Sequence, residues 1–198
     1  DTICHEHLEY YSFDVINNMA KKNKLKVIDV LHNDINGGSI GIFLSHENAK
    51  FKVNKKAIEK VINIEKKMNL KSPNTYNIFF KSIIKIKKKL KKIILKLKTR
   101  NKIIHGYGAS TKGNVLLQFF KINNEEINLI ADRNPKKNGL YTPGTKIKIV
   151  SEAISRKKMP DYYLVLPWHF KNEILVREKN IISKGTKFIF PLPNIKVI

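Results

Sequence analysis

The stretch GYGASTKGN, residues 106–114, decides how the second half of the chain folds. It follows the apolar run KIIH (102–105), which reads as a buried strand, and it leads into residues 111–121, which carry helical periodicity. Gly106 then ends a strand, Gly108 lets the backbone approach a ligand, and Gly113 permits close packing of the following helix. Amide groups at the helix start face an anion. The spacing Gly-x-Gly-x4-Gly departs by one residue from the dinucleotide fingerprint, so the pattern alone leaves open a tight strand-to-helix turn without a ligand.

Downstream, the alternation continues. INLIA (127–131) reads as a strand and DRNPKKNGLYTPGT (132–145) as a long polar loop. Ser151 caps a short helix, YYLVL (162–166) is a strand, residues 170–179 form a helix, and KFIFP (187–191) is a last strand. Alternating strands and helices imply a parallel sheet with right-handed crossovers. Strand ends that meet on one edge of such a sheet bring together Asp132, Arg133, the TPGT turn and PWHF at 167–170. Asp132 falls roughly where a ribose-binding carboxylate is expected. Trp168 either stacks on a base or sugar or packs at the strand end, and His169 or Arg133 pairs with phosphate. Lys112 also reaches toward a phosphate, but one lysine among so many is a weak pointer.

Upstream the character differs. LKVIDVLH (25–32) and SIGIFLS (39–45) read as strands joined through NDINGG, pairing antiparallel. Residues 54–70 follow helical periodicity, and SPN (72–74) opens a second helix to about Arg100, with Pro73 in a first helical position. Ile83, Ile86, Leu90, Ile93, Ile94 and Leu97 give that helix one apolar stripe, which suits packing on a neighbouring domain. CHEHLEYYS (4–12) crowds two histidines and two tyrosines beside Glu6. His5 and His7 lack a third nearby ligand for a metal, so no metal site is assigned. A general-base histidine with an adjacent carboxylate suits the segment better, because histidine takes a proton near neutral pH.

Composition narrows the classes. The formal net charge is +23, yet only Arg100, Arg133, Arg156 and Arg177 are arginines, and the remaining basic residues are lysines. That mixture fits compositional bias with solvated surface lysines better than nucleic-acid recognition, which favours arginine. No apolar run reaches the ~18 residues of a membrane span. One cysteine, Cys4, precludes an internal disulfide and fits a cytoplasmic setting.

Taken in order, DTICHEHLEYYS, NGGSI, HGYGASTKGN, ADRNPKKNGLYTPGT and PDYYLVLPWHF resemble the sugar-nucleotide C-methyltransferases. These are three-part enzymes with an N-terminal zinc-binding domain, a central S-adenosylmethionine (SAM) domain and a C-terminal Rossmann-like domain. The resemblance covers nearly the whole chain apart from the lysine-rich helices. It implies an α/β chain in three parts: the C-terminal tail of a class I SAM-methyltransferase domain (1–50), a helical linker (51–100) and a Rossmann-like domain holding the sugar nucleotide (101–198). The zinc module and the SAM loop would lie before Asp1. The implied substrate is a nucleotide-linked 4-keto deoxysugar, deprotonated beside its ketone and methylated on that carbon. His7 resembles the family's base and Glu6 its neighbouring carboxylate. Gly106, Gly108, Gly113, Asp132, Arg133, Trp168 and His169 fall to substrate binding. Two positions depart from the family: Cys4 stands where a catalytic tyrosine is usual, and Gly41 where an arginine follows NGGS-x. A stand-alone or degenerate sugar-nucleotide-binding module is the alternative.

Overall fold

The computed structural model describes residues 7–35 and 38–198. Cys4, His5, Glu6 and Gly37 fall outside them. The chain divides into two units, one up to Lys81 and one from Ser82.

The first unit is a hairpin covered by helices. β1 (Leu25–Asn33) pairs antiparallel with β2 (Ser39–His46), with an irregularity between Val27 and Asp29. α1 (Phe13–Lys22) and α2 (Lys55–Met68) close one face, where Phe13, Val27, Val30 and Val61 are buried with Ile42, Ile58 and Ile62 against them. Two carboxylates tie these pieces. Glu65 on α2 accepts from the backbone N–H of Phe13 and of Asp14 (3.0 Å for the latter), placing negative charge on the N-terminus of α1. Asp29 accepts from Asn54 Nδ2 (2.9 Å), and Asn54 in turn caps α2 through Ala57 N–H.

α3 runs Pro73–Lys98, with Pro73 as its first residue. From Ser82 it is built into the second unit. Leu90 and Ile94 are buried there, and Ile83, Ile86, Ile93 and Leu97 pack against the same core. The apolar stripe read from the sequence is thus the inner face of α3.

The second unit is mixed α/β around a mostly parallel six-stranded sheet. β3 (Ile104–Tyr107), β4 (Leu129–Asp132), β5 (Lys148–Ser151), β6 (Tyr162–Val165), β7 (Lys187–Phe190) and β8 (Lys196–Val197) lie in the order β5-β4-β3-β6-β7-β8. The first five are parallel and β8 is antiparallel. Strand order therefore reverses direction at β3, the arrangement of a Rossmann-like sheet. α4 (Thr111–Phe120), α5 (Glu152–Lys157), α6 (Lys171–Arg177) and α7 (Lys179–Ser183) follow their strands. Three features differ from the sequence reading. The stretch before Ser151 is itself a strand, β5, KFIF is not the last strand because β8 folds back on it, and the one helix expected over 170–179 is two, α6 and α7.

One face of this sheet carries a buried polar set. His105 is 2% exposed, its Nδ1 lies 2.8 Å from Ser155 Oγ, and Ser155 Oγ lies 2.9 Å from Tyr163 Oη. Burial, with a contribution from Lys158, pushes the His105 imidazole down to about 4. The unfolded chain then binds a proton that the folded chain refuses between the ordinary value of 6.5 and about 4. Stability contributed by neutral His105 is present above that window and is lost as pH falls through it. Denaturant melts at about pH 7 and about pH 4.5 should differ by at most about 2 kcal/mol from this group, allowing for solvent screening, and His105→Phe should flatten the slope.

Candidate functional site

The switch point, where sheets of this kind take their ligands, lies outside the carboxyl ends of β3 and β6, and the glycine loop and PWHF follow those two strands. The loop is closely packed. Gly106 lies within β3, where a Cβ would stand 2.6 Å from Ile130 Cγ1. Gly108 has φ of +78°, and a Cβ there would meet the Pro167 ring at 2.8 Å. At Gly113 a Cβ would stand 2.5 Å from Leu166 Cβ. The glycine at 113 thus permits the close helix–strand packing expected, and the space beside Gly108 is filled by Pro167 from the neighbouring strand end. Ser110 caps α4, accepting from Gly113 N–H at 3.0 Å.

Asp132, at the end of β4, turns toward this loop. Its Oδ2 accepts from Ala109 N–H (2.7 Å) and its Oδ1 from Asn134 N–H (2.8 Å). Lys137 Nζ stands 3.4 Å from Oδ2 and donates to Ala109 O at 2.7 Å. Sequence reasoning missed Lys137; its signal was the Asn-Pro turn in DRNPKK, where Asn134 Oδ1 accepts from Lys136 N–H (3.0 Å) and caps the 3-10 turn Pro135–Lys137. Arg133 is exposed beside Asp132. The TPGT turn docks on α4: Gln118 Nε2 donates to Pro143 O (3.1 Å), and Thr142 and Thr145 are buried with their hydroxyls 2.7 Å apart.

On the β6 side, Trp168 and His169 sit in the 3-10 turn Trp168–Phe170. Trp168 is half-buried and packs against the cores on both faces of the sheet. Burial, and the charge of Lys112, hold the His169 imidazole below its ordinary value, with Glu173 opposing. Burial likewise lowers the Lys112 ammonium. Among the described residues, His169 Nδ1 and Asn114 Oδ1 are the side-chain atoms buried without a hydrogen-bond partner. Asn114, in the first turn of α4, was not singled out from sequence. Polar atoms left unpaired suit a ligand or ordered water.

In the first unit, His7 is exposed, with its ring centroid 6.4 Å from that of Tyr10. Glu6, its expected partner, lies outside the described residues. A cavity of about 540 Å³ is lined by Tyr11, His32, Asn33, Asp34, Gly38, Ser39 and Ile40. Tyr11 donates to Glu9, which raises the phenol above its ordinary value. His32 and Asp34 were not read as site residues, because nothing in their spacing marks them. Gly41 pairs with Leu31 in the hairpin, and a Cβ there would meet nothing within 4 Å, so an arginine fits the backbone at this position. Among the described residues no group of three or more histidine, cysteine, aspartate or glutamate side chains is placed to hold a metal. Nor is any helix among them long and apolar enough to cross a membrane.

The strand order and the mostly parallel sheet define a Rossmann-like α/β unit. Residues 34–193 match the family of C-methyltransferase C-terminal domains, and the chain belongs to that family. The C-methyltransferase NovU of Streptomyces niveus is 32% identical over all 198 residues, which cover 47% of NovU. The chain thus spans about half the length of this relative.

Proposed function

We propose that this chain is the C-terminal portion of a SAM-dependent C-methyltransferase acting on a nucleotide-linked 4-keto deoxysugar. The family match across residues 34–193 carries the reading. The switch point supports it by placing Lys112, His169 and the α4 N-terminus where they can donate to a phosphate-bearing ligand, and the unpaired Asn114 Oδ1 where it can accept from a hydroxyl or a water. Gly106, Gly108 and Gly113 shape the loop there, with Asp132, Arg133 and Trp168 around it.

The chemistry assigned to this chain is proton removal. The C–H bond beside the ketone breaks, His7 takes the proton, and the electron pair delocalises onto the ketone oxygen as an enolate. Glu6 stands next to His7 in sequence and favours the imidazolium that forms. SAM, when bound, would supply the electrophilic methyl group. The described residues do not fit a SAM cradle: the glycine-rich strand-to-helix turn among them, at 106–113, is packed by Ile130, Pro167 and Leu166. Methyl delivery, and the zinc module of the resemblance, are therefore assigned to further parts of the protein.

The test is solvent deuterium exchange at the carbon beside the ketone, in the complete enzyme. His7→Ala should lower the exchange rate by about a hundredfold or more, with substrate affinity retained, since a positioned general base contributes roughly 10²–10⁴ in rate. Unchanged exchange in the variant removes His7 from the role of base. Binding with no exchange in the unaltered enzyme favours the non-catalytic module.

A further inference from the structure

We propose that Asp132 and Lys137 are positioning residues that clip the glycine loop through the backbone of Ala109, and that Asp132 does not read the ribose of a bound nucleotide. The proposal rests on the reading that the switch point takes a phosphate-bearing ligand. Both polar backbone groups of Ala109 are claimed. Its N–H donates to Asp132 Oδ2 at 2.7 Å, and its carbonyl accepts from Lys137 Nζ at 2.7 Å. Ala109 is 8% exposed, and the Asp132 side chain is 10% exposed. One residue earlier, Gly108 N–H donates to Ala131 O at 2.7 Å, so two successive residues of the loop are stitched to the end of β4.

Both oxygens of the carboxylate are engaged within the protein. Oδ1 holds Asn134 N–H at 2.8 Å, which starts the turn that carries Lys137 back toward the loop. Lys137 Nζ, 3.4 Å from Oδ2, also balances the carboxylate charge. An unbalanced carboxylate at this place would repel a diphosphate at the neighbouring helix start; a paired one does not. The loop is therefore fixed before a ligand arrives, which lowers the ordering cost of binding. A loop fixed this way leaves Asp132 to hold the backbone, and the ribose goes unread by it.

Two measurements on the full chain test this. The first is hydrogen–deuterium exchange at the Ala109 amide without ligand. The second is calorimetry with uridine diphosphate and with inorganic diphosphate. Asp132→Ala should speed Ala109 exchange and weaken both probes by the same factor, roughly tenfold, the scale of one charge-assisted hydrogen bond. Asp132→Asn keeps one acceptor oxygen for Ala109 but turns its amide NH2, a donor, toward Asn134 N–H, and should lose less than Asp132→Ala on both probes. Lys137→Met should weaken both probes, and joining it to Asp132→Ala should add little, because both act through Ala109. Weakening confined to uridine diphosphate, or equal damage from Asp132→Asn on that probe alone, assigns Asp132 to the ribose and overturns the proposal. Unchanged Ala109 exchange in Asp132→Ala overturns it as well. If the unaltered chain binds neither probe, the phosphate reading of the switch point falls, and the exchange result by itself upholds or overturns the clip.

Discussion

Gly113→Val should cost about 3 kcal/mol of stability, lowering the melting midpoint by about 10–20 °C, with no change in charge or in any hydrogen-bonding side chain. The reason is the distance between α4 and the end of β6. A Cβ at position 113 would stand 2.5 Å from Leu166 Cβ, 2.9 Å from Ser110 Oγ and 3.2 Å from Leu166 Cδ1. Leu166 is fully buried in the core beneath α4, so it has nowhere to retreat. Ser110 is the cap of the helix, and pushing it aside also loosens its bond to Gly113 N–H. Gly113→Ala gives the opposing terms separately. Alanine gains about 1 kcal/mol of helix propensity over glycine, while the overlap with Leu166 costs about 1–3 kcal/mol. The net loss should be smaller than for valine, which adds two further carbons on the same Cβ. Thermal melts of the three proteins decide it, and an alanine variant more stable than the parent would show that the helix moves off the strand easily.

The position of this glycine was legible in the sequence, and its role as a packing contact followed from the strand–loop–helix pattern. So was most of the framework. The alternation after residue 101 gave the parallel sheet, and the stripe from Ile83 to Leu97 gave the inner face of α3. Two strands escaped. β5, KIVS, is four residues like β3, β4, β6 and β7, but its lysine-rich context interrupts the apolar run, and it is a strand because β4 pairs with it from Leu129 to Asp132. β8 is two residues held by Phe190 and Ile189 on β7, too short for a period to register. The site was legible in outline only. Asp132 stood where a ribose carboxylate is expected, but its bonds to Ala109 and Asn134 depend on how the loop folds back, and spacing does not carry that. Asn114 and Lys137 likewise acquire meaning from tertiary placement.

Two of the four arginines in this lysine-rich chain, Arg156 and Arg177, converge on one buried carboxylate. The Glu178 side chain is 1% exposed. Arg156 Nη2 stands 3.0 Å from its Oε2, Arg177 Nε 2.9 Å from its Oε1, and the Tyr107 hydroxyl donates to Oε1 at 2.7 Å. Glu152, at the start of α5, pairs with both arginines in turn. The guanidinium fork supplies several fixed donors to one carboxylate, which a lysine does not. Burial and the Glu178 contact together push the Tyr107 phenol well above its ordinary range, so the hydroxyl stays a donor at any working pH.

Removing both arginines (Arg156→Met with Arg177→Met) leaves the carboxylate buried with Tyr107 as its remaining neighbour in this set. The cost should be about 3–5 kcal/mol, the scale of an uncompensated buried charge. Adding Glu178→Gln to that variant should recover a large part of the loss, because the amide is neutral and its oxygen still accepts from Tyr107. Glu178→Gln in the parent should instead destabilise, since two cations lose their shared anion. The sign reversal of one substitution between the two backgrounds is the diagnostic, and denaturant melts of the four proteins form the cycle that measures it. If Glu178→Gln destabilises equally in both backgrounds, the arginines do not compensate Glu178, and the cluster is held by shape alone. Tyr107 is the last residue of β3, immediately before Gly108, so a loosened cluster should also reach the glycine loop and weaken diphosphate binding in the same rank order as stability.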